Sequence, residues 1–216
     1  MSLRILVVDD HAVVRRGVRS LLESHEGWEV CGEATTGRDA VEQSRQLRPD
    51  VVVMDLSLPD LNGLDATRQI LKDTPGTEVL VLTMHRSEEL ARDVLRAGAR
   101  GYIMKSDAGE NLITAVDTLR QHKPFLTSTV TEFVLDDFVR REDSAWADRS
   151  PVGVTSRERE IIQLVAEGRS NKEAASTLGI SVKTIESHRA NIMRKLHLGT
   201  VSDLVRYAIR NKIVQP

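Results

Sequence analysis

At 216 residues, 29% charged and 40% hydrophobic, the chain has room for one large or two small domains with a real core; aromatics at 3% leave aliphatic side chains to fill it. A single cysteine excludes an internal disulfide, and no apolar run approaches the ~18 residues of a membrane span. Net charge is only −2, yet residues 151–216 hold 11 Lys/Arg against 6 Asp/Glu while the first 150 hold 19 against 26, which predicts a basic module with a nucleic-acid partner joined to an acidic one.

Met1–Ser2–Leu3 leads straight into a strand with no signal peptide, so a cytoplasmic protein is expected. Four short, continuously apolar runs then recur. Ile5–Val8 is closed by Asp9 and Asp10, Val51–Met54 by Asp55, Val79–Leu82 by Thr83, and Tyr102–Met104, within a strand read over Gly101–Met104, by Lys105. Such runs read as strands buried on both faces of a parallel sheet. Glu29–Ala34 is a further strand, with Cys31 expected as a small buried core side chain. Between them lie helical stretches: Ala12–Glu23, one opened by Thr36 or Gly37 and ending near Leu47 before Pro49, Leu64–Lys72, one capped by Ser87 and ended by Gly98, and one capped by Asp107 that runs to about Gln121. Five βα units predict a doubly wound, five-stranded parallel α/β sheet over residues 1–122.

Residues 123–150 read as a linker, with an amphipathic helix over 128–141 followed by a charged hinge. Residues 151–216 read as all-helical. Thr155-x-x-Glu158 and Ser170-x-x-Glu173 match capping boxes, and Gly168 and Gly179 sit where helix ends need positive φ. The helices expected are Ser156–Glu167, Asn171–Leu178, Val182–Leu196 and Val201–Asn211. Two short helices joined by Leu178–Gly179–Ile180–Ser181 have the form of a helix-turn-helix.

Ligands bind beyond the carboxyl ends of strands in open α/β sheets, so Asp9, Asp10, Asp55, Thr83 and Lys105 are expected at one edge. Three crowded carboxylates call for a divalent cation, and Mg²⁺ suits oxygen donors and phosphate. Asp55, alone on its strand, is the best nucleophile toward phosphorus, leaving Asp9 and Asp10 for the metal. Lys105 can bind phosphoryl oxygens and Thr83 can donate a hydrogen bond. His11 reads as a helix start, His85 as a residue of the pocket mouth, and Gly98 and Gly101 as turn glycines.

Val7–Val8–Asp9–Asp10–His11, Met54–Asp55–Leu56–Ser57–Leu58–Pro59 with Asn62–Gly63, Thr83, and Gly101–Tyr102–Ile103–Met104–Lys105 together resemble a bacterial response-regulator receiver domain. The resemblance implies a flavodoxin-like fold and phosphorylation of Asp55 by a sensor histidine kinase. It further implies Mg²⁺ held by Asp10, Asp55 and the backbone carbonyl of Ser57 with Asp9 close by, and Tyr102 as the aromatic that repositions when Thr83 moves.

In the basic module, Ile185, Ile192 and Leu196 fall on one face of their helix, and Lys183, Glu186, Ser187, Ala190, Asn191 and Arg194 on the other. A recognition helix reads base edges with its N-terminal residues, so Lys183 and Glu186 are the candidate base readers. Lys172, Thr184, His188, Arg189, Arg194 and Lys195 are candidate phosphate contacts. The stretch Thr155–Glu160, Ala166–Ala175 and Leu178–His188 resembles the LuxR-type DNA-binding domain. The two resemblances together imply the NarL/FixJ architecture: a transcription regulator rather than an enzyme, which binds double-stranded promoter DNA as a homodimer paired through Val201–Asn211, with RNA polymerase a further expected partner. Two other readings stand beside it. One is an Mg²⁺-dependent phosphatase using Asp55, although Leu56–Ser57 lacks the second acid such a motif carries. The other is a regulator that binds DNA without phosphorylation.

Overall fold

The structure is a computed structural model that describes residues 2–84, 87–127 and 154–214. The helix expected over 128–141, most of the linker and His85 lie outside these residues. The chain divides into two compact units.

The first unit alternates β1 (Leu3–Val8), α1 (Ala12–Glu23), β2 (Trp28–Ala34), α2 (Gly37–Leu47), β3 (Val51–Asp55), α3 (Gly63–Asp73), β4 (Glu78–Thr83), α4 (Glu88–Arg96), β5 (Gly101–Met104), a 3₁₀ turn (Lys105–Asp107), α5 (Ala108–Arg120) and β6 (Phe125–Leu126). All strand pairs are parallel, in the order β2-β1-β3-β4-β5-β6. Five strands were expected; the sixth is a two-residue extension beside Gly101 and Tyr102, too short to leave a periodic signal. The strand side chains alternate between faces as the pleat requires. Ile5, Val7, Val51, Val53, Leu80, Leu82 and Ile103 pack in one core with Val18 and Leu22 of α1 and Leu112, Val116 and Leu119 of α5. Leu6, Val52, Met54, Val79, Val81 and Tyr102 are buried as well, on the alternate positions.

Three local expectations change. Cys31 is half-buried, because the β1–β2 register slips between Ile5 and Leu6: Ile5 pairs with Val30 and Leu6 with Gly32, leaving Cys31 as the extra residue of a bulge. Its Sγ donates to the Ile5 carbonyl oxygen at 3.4 Å. Asp107 stands at the N-cap of α5 without a side-chain cap bond, since its Oδ1 accepts from Ser106 Oγ instead. Gly101 opens β5, as the strand read over Gly101–Met104 requires, rather than lying in a turn; a Cβ there would come within 2.5 Å of Leu80 Cδ1, so the glycine permits close packing between strands.

The second unit holds α6 (Ser156–Ala166), α7 (Asn171–Leu178), α8 (Val182–Lys195) and α9 (Val201–Arg210). Both expected capping boxes form, and a third, Thr200 with Asp203, opens α9. Gly168 and Gly179 take φ of +81° and +63°, stopping α6 and α7. Ile161, Leu164, Ala174, Leu178, Ile185, Ile192, Leu204 and Ala208 form a common core. Among the described residues, no helix is long and apolar enough to cross a membrane.

The Thr200 hydroxyl, aided by Arg206, holds the Asp203 carboxyl from its ordinary 3.8 down to about 2. A depressed acid stabilises the fold in full above its unfolded value and loses that contribution as pH falls through the folded one. Urea midpoints of the wild type should therefore fall between these two values, and Asp203→Asn should flatten that part of the profile.

Candidate functional site

The topology creates the site. The strand order reverses at β1 and β3, and the carboxyl ends flanking such a switch point form the crevice of an open α/β sheet. Val8 pairs with Met54, so Asp9 and Asp55 leave their strands side by side. Asp55 pairs with Leu82, which puts Thr83 one step further along β4, and Thr83 pairs with Met104, the residue before Lys105.

Asp9 and Asp55 are both buried, at 3% and 2% side-chain exposure, and Lys105 is 9% exposed between them. Its Nζ lies 2.7 Å from Asp9 Oδ2 and 2.9 Å from Asp55 Oδ2. The ammonium pairs in charge with both, but neither Oδ2 receives an aligned hydrogen bond. Burial pushes the Asp55 carboxyl above its ordinary range, against the pull of Lys105 and with the Asp9 charge adding to the rise. For Lys105, burial alone would lower the ammonium; its contacts with Asp9 and Asp55 outweigh that and raise it.

Each strand-end carboxylate also takes a backbone amide from two residues on: the His11 N–H reaches Asp9 Oδ1 at 2.8 Å, and the Ser57 N–H bonds the Asp55 carboxylate. These are local turns that Asp favours. Asp10 is exposed, and its Oδ1 lies 2.6 Å from Nδ1 of the His11 ring. His11 is the N-cap residue of α1, as expected of a helix start, although its ring makes no cap bond and sits in the acidic group instead. Ligand atoms of Asp9, Asp10, His11 and Asp55 all lie within 4.8 Å of one another. Hard oxygen donors at this spacing, two of them buried with unfilled lone pairs, fit a small divalent cation such as Mg²⁺.

Thr83 is buried at the end of β4. Tyr102 is buried too, and the Ser87 amide, at the N-cap of α4, hydrogen-bonds to its phenol oxygen. Sequence motifs marked Gly63 without giving its physical task. An added Cβ there would fall 1.9 Å from the Asp55 carbonyl oxygen, and its amide donates to the Leu56 carbonyl at 3.0 Å. The first residue of α3 is thus pressed against the backbone that carries Asp55.

In the helical unit, Lys183, Thr184, Glu186, Ser187 and Asn191 of α8 are exposed, as is Lys172 of α7. Ser181 caps α8 through the Thr184 amide, and Ser187 Oγ bonds back to the Lys183 carbonyl. The structure separates the candidate phosphate contacts. Lys195 Nζ donates to Glu158 Oε2 at 2.8 Å, Arg194 donates to Asn191, and half-buried Arg189 donates to Asn171 Oδ1 of α7. His188 is half-buried. Thus Arg189 and Lys195 tie α8 to its neighbours, which charge and spacing alone do not reveal.

Residues 5–117 match the response regulator receiver domain family, and residues 153–208 match the bacterial regulatory proteins of the luxR family. The oxygen regulatory protein NreC of Staphylococcus carnosus (strain TM300) is 40% identical over 215 residues, 98% of this chain and 99% of the relative. A crystal structure of a LuxR-family two-component response regulator from Aurantimonas sp. SI85-9A1 is 34% identical, with a TM-score of 0.61 over 64% of this chain and 99% of that one. The response regulator RcsB, solved in complex with DNA, is 28% identical with a TM-score of 0.59, covering 96% of this chain and 98% of that one.

Gly63→Ala should destabilise the first unit by roughly 1–3 kcal/mol, because the obstacle is backbone that cannot swing aside. Gly109→Ala, in the first turn of α5 with nothing within 4 Å of the new Cβ, should instead stabilise by about 0.5–1 kcal/mol. Urea denaturation of both variants checks the contrast.

Proposed function

Because this chain belongs to the two-component response regulators that join a receiver domain to a LuxR-type DNA-binding domain, we propose that phosphorylation of Asp55 by a sensor histidine kinase controls its binding to promoter DNA. In this reading the receiver spans residues 1–122, the linker 123–150 and the DNA-binding domain 151–216, and the protein works in the cytoplasm with RNA polymerase as a further partner. The observation that carries it is the buried Asp9–Asp55 pair bridged by Lys105.

Asp10, Asp55 and the Ser57 carbonyl would hold Mg²⁺, with Asp9 alongside. When bound, the cation offsets charge between the carboxylates and an incoming phosphoryl group. Asp55 supplies the nucleophilic oxygen, already oriented by the Ser57 amide. Lys105 stands beside that carboxylate to meet the new phosphoryl oxygens, and the Thr83 hydroxyl follows them. Movement of Thr83 is coupled to Tyr102, whose inward pose is bonded to Ser87. The new contacts shift the receiver toward a dimer-forming state. The dimer sets two α8 helices on adjacent half-sites and pairs through α9, so two weak contacts gain from effective concentration. RcsB, similar along nearly its whole length and solved with DNA, supports the final step.

Lys183 and Glu186 read base edges; both are exposed, and neither takes part in the ion pair that holds Lys195 or the hydrogen bond that holds Arg189. Lys172, Thr184, Ser187, His188, Asn191 and Arg194 contribute the surrounding contacts, with Arg189 and Lys195 at their margin.

Acetyl phosphate with Mg²⁺ should place one phosphoryl group on the wild-type chain and none on Asp55→Asn, read by intact-mass spectrometry. In DNA selection from a random pool, the phosphorylated wild type should bind its selected site about 5–150-fold more tightly than the unmodified protein. Equal affinity with and without the donor would leave the regulator that ignores phosphorylation. Lys183→Ala should cost about 1–3 kcal/mol at its base step, whereas Lys172→Ala should weaken all sequences alike and reduce the salt slope by about 1.

A further inference from the structure

The β1–α1 turn is held far more firmly at Asp9 than at Asp10. The Asp9 amide donates to the Ala34 carbonyl at 3.1 Å, its Oδ1 accepts from His11 N and its Oδ2 meets Lys105. The fourth polar atom, the main-chain carbonyl oxygen, accepts from Arg15 Nη1 at 2.8 Å. Arg15 lies one turn into α1 with its side chain 16% exposed, and its Nε donates to Glu33 Oε2 at 2.9 Å. Glu33 is itself fixed: it lies in β2 in register with Val7, and its carbonyl accepts from Gln43 Nε2 at 2.7 Å. One planar guanidinium thus spans β2, α1 and the end of β1, with separate donors aimed at a carboxylate and a carbonyl.

We infer that Arg15, braced by Glu33, is a positioning residue for the cation pocket: it sets the peptide that carries Asp9 into Asp10 and so fixes where both carboxylates point. This rests on the reading of the pocket as an Mg²⁺ site. Peptide orientation at that link matters because Asp10 is exposed and makes contact only with the His11 ring among the described ion pairs, so its backbone is what aims it. Partners of ligating groups act on metal affinity through orientation rather than through contact with the metal. A lysine could not replace the fork, since one ammonium cannot bond both acceptors with the same fixed angle. Arg19 provides an internal control. Its Nη1 bonds the other Glu33 oxygen at 2.7 Å and it pairs with Glu23, but it does not touch Asp9.

The test is Mg²⁺ affinity of the full chain, titrated with MgCl₂ by calorimetry and by amide chemical shifts of the 9–11 turn, alongside urea midpoints. Arg15→Met keeps the apolar stem and removes both donors. It should weaken Mg²⁺ binding about ten-fold or more, while Asp55 labelling by acetyl phosphate at saturating Mg²⁺ stays within about two-fold of wild type, since Arg15 touches no reacting atom. Arg19→Met should bind Mg²⁺ as the wild type does. Glu33→Gln keeps an acceptor for Nε and should show a smaller loss; it decides the matter if Arg15→Met does not fold. Wild-type affinity in Arg15→Met (or in Glu33→Gln where it decides), or an equal loss in Arg19→Met, overturns the inference while leaving the function intact. Absence of Mg²⁺ binding by the wild type would instead overturn the reading of the pocket, and the inference with it.

Discussion

Two carboxylates and one ammonium, buried together where the strand order reverses, constrain everything else at that end of the α/β unit. Asp9 and Asp55 repel, and removal from water penalises both charges. Lys105 offsets this without filling either Oδ2. Removing Lys105 would leave the two buried carboxylates uncompensated at a cost of about 3–5 kcal/mol, whereas an exposed pair such as Arg45–Asp73 contributes roughly 0–1 kcal/mol. The pocket therefore sits under electrostatic tension that a cation or a covalent phosphoryl group would redistribute. The surrounding structure is correspondingly rigid: amides two residues on hold both carboxylates, Gly63 brings α3 against Asp55, and Arg15 braces Asp9.

The helical unit solves a different problem. Its helices are short, and short helices are marginal by themselves. Capping boxes at α6, α7 and α9 satisfy amides that would otherwise be orphaned, and apolar faces share one core. The excess basic charge of this region is then divided. Lys195 and Arg189 bond to Glu158 and Asn171 and hold α8 in place, while Lys183 and Lys172 stay exposed. A count of basic residues treats these groups as equivalent; their geometry does not.

Local rules made much of this readable. Apolar runs ending in Asp9, Asp55, Thr83 and before Lys105 announced strands and their carboxyl ends, because a strand buried on both faces must be apolar throughout. The Thr155 and Ser170 boxes and the glycines at 168 and 179 marked helix ends, because caps are made within a few residues of chain. The Thr200–Asp203 box was legible by the same logic once Asp is accepted in place of Glu. The bulge at Cys31, the lost cap at Asp107 and the strand at Phe125 were not, because each depends on a partner element or on competition between nearby groups.

The order of residues is enough to set the alternation of elements, the split between acidic and basic regions, the set of residues at the strand ends, and the family. Folding in three dimensions is what stands Asp9 and Asp55 abreast with Lys105 between them, requires Gly63 to lack a side chain, brings Arg15 to the Asp9 carbonyl, and engages some cations of α8 and not others. The physical reason is range: hydrophobic period and capping act over a few residues along the chain, whereas register, close approach and ion pairing join residues from about 6 to 96 positions apart, and only the folded sheet and helix packing bring them together.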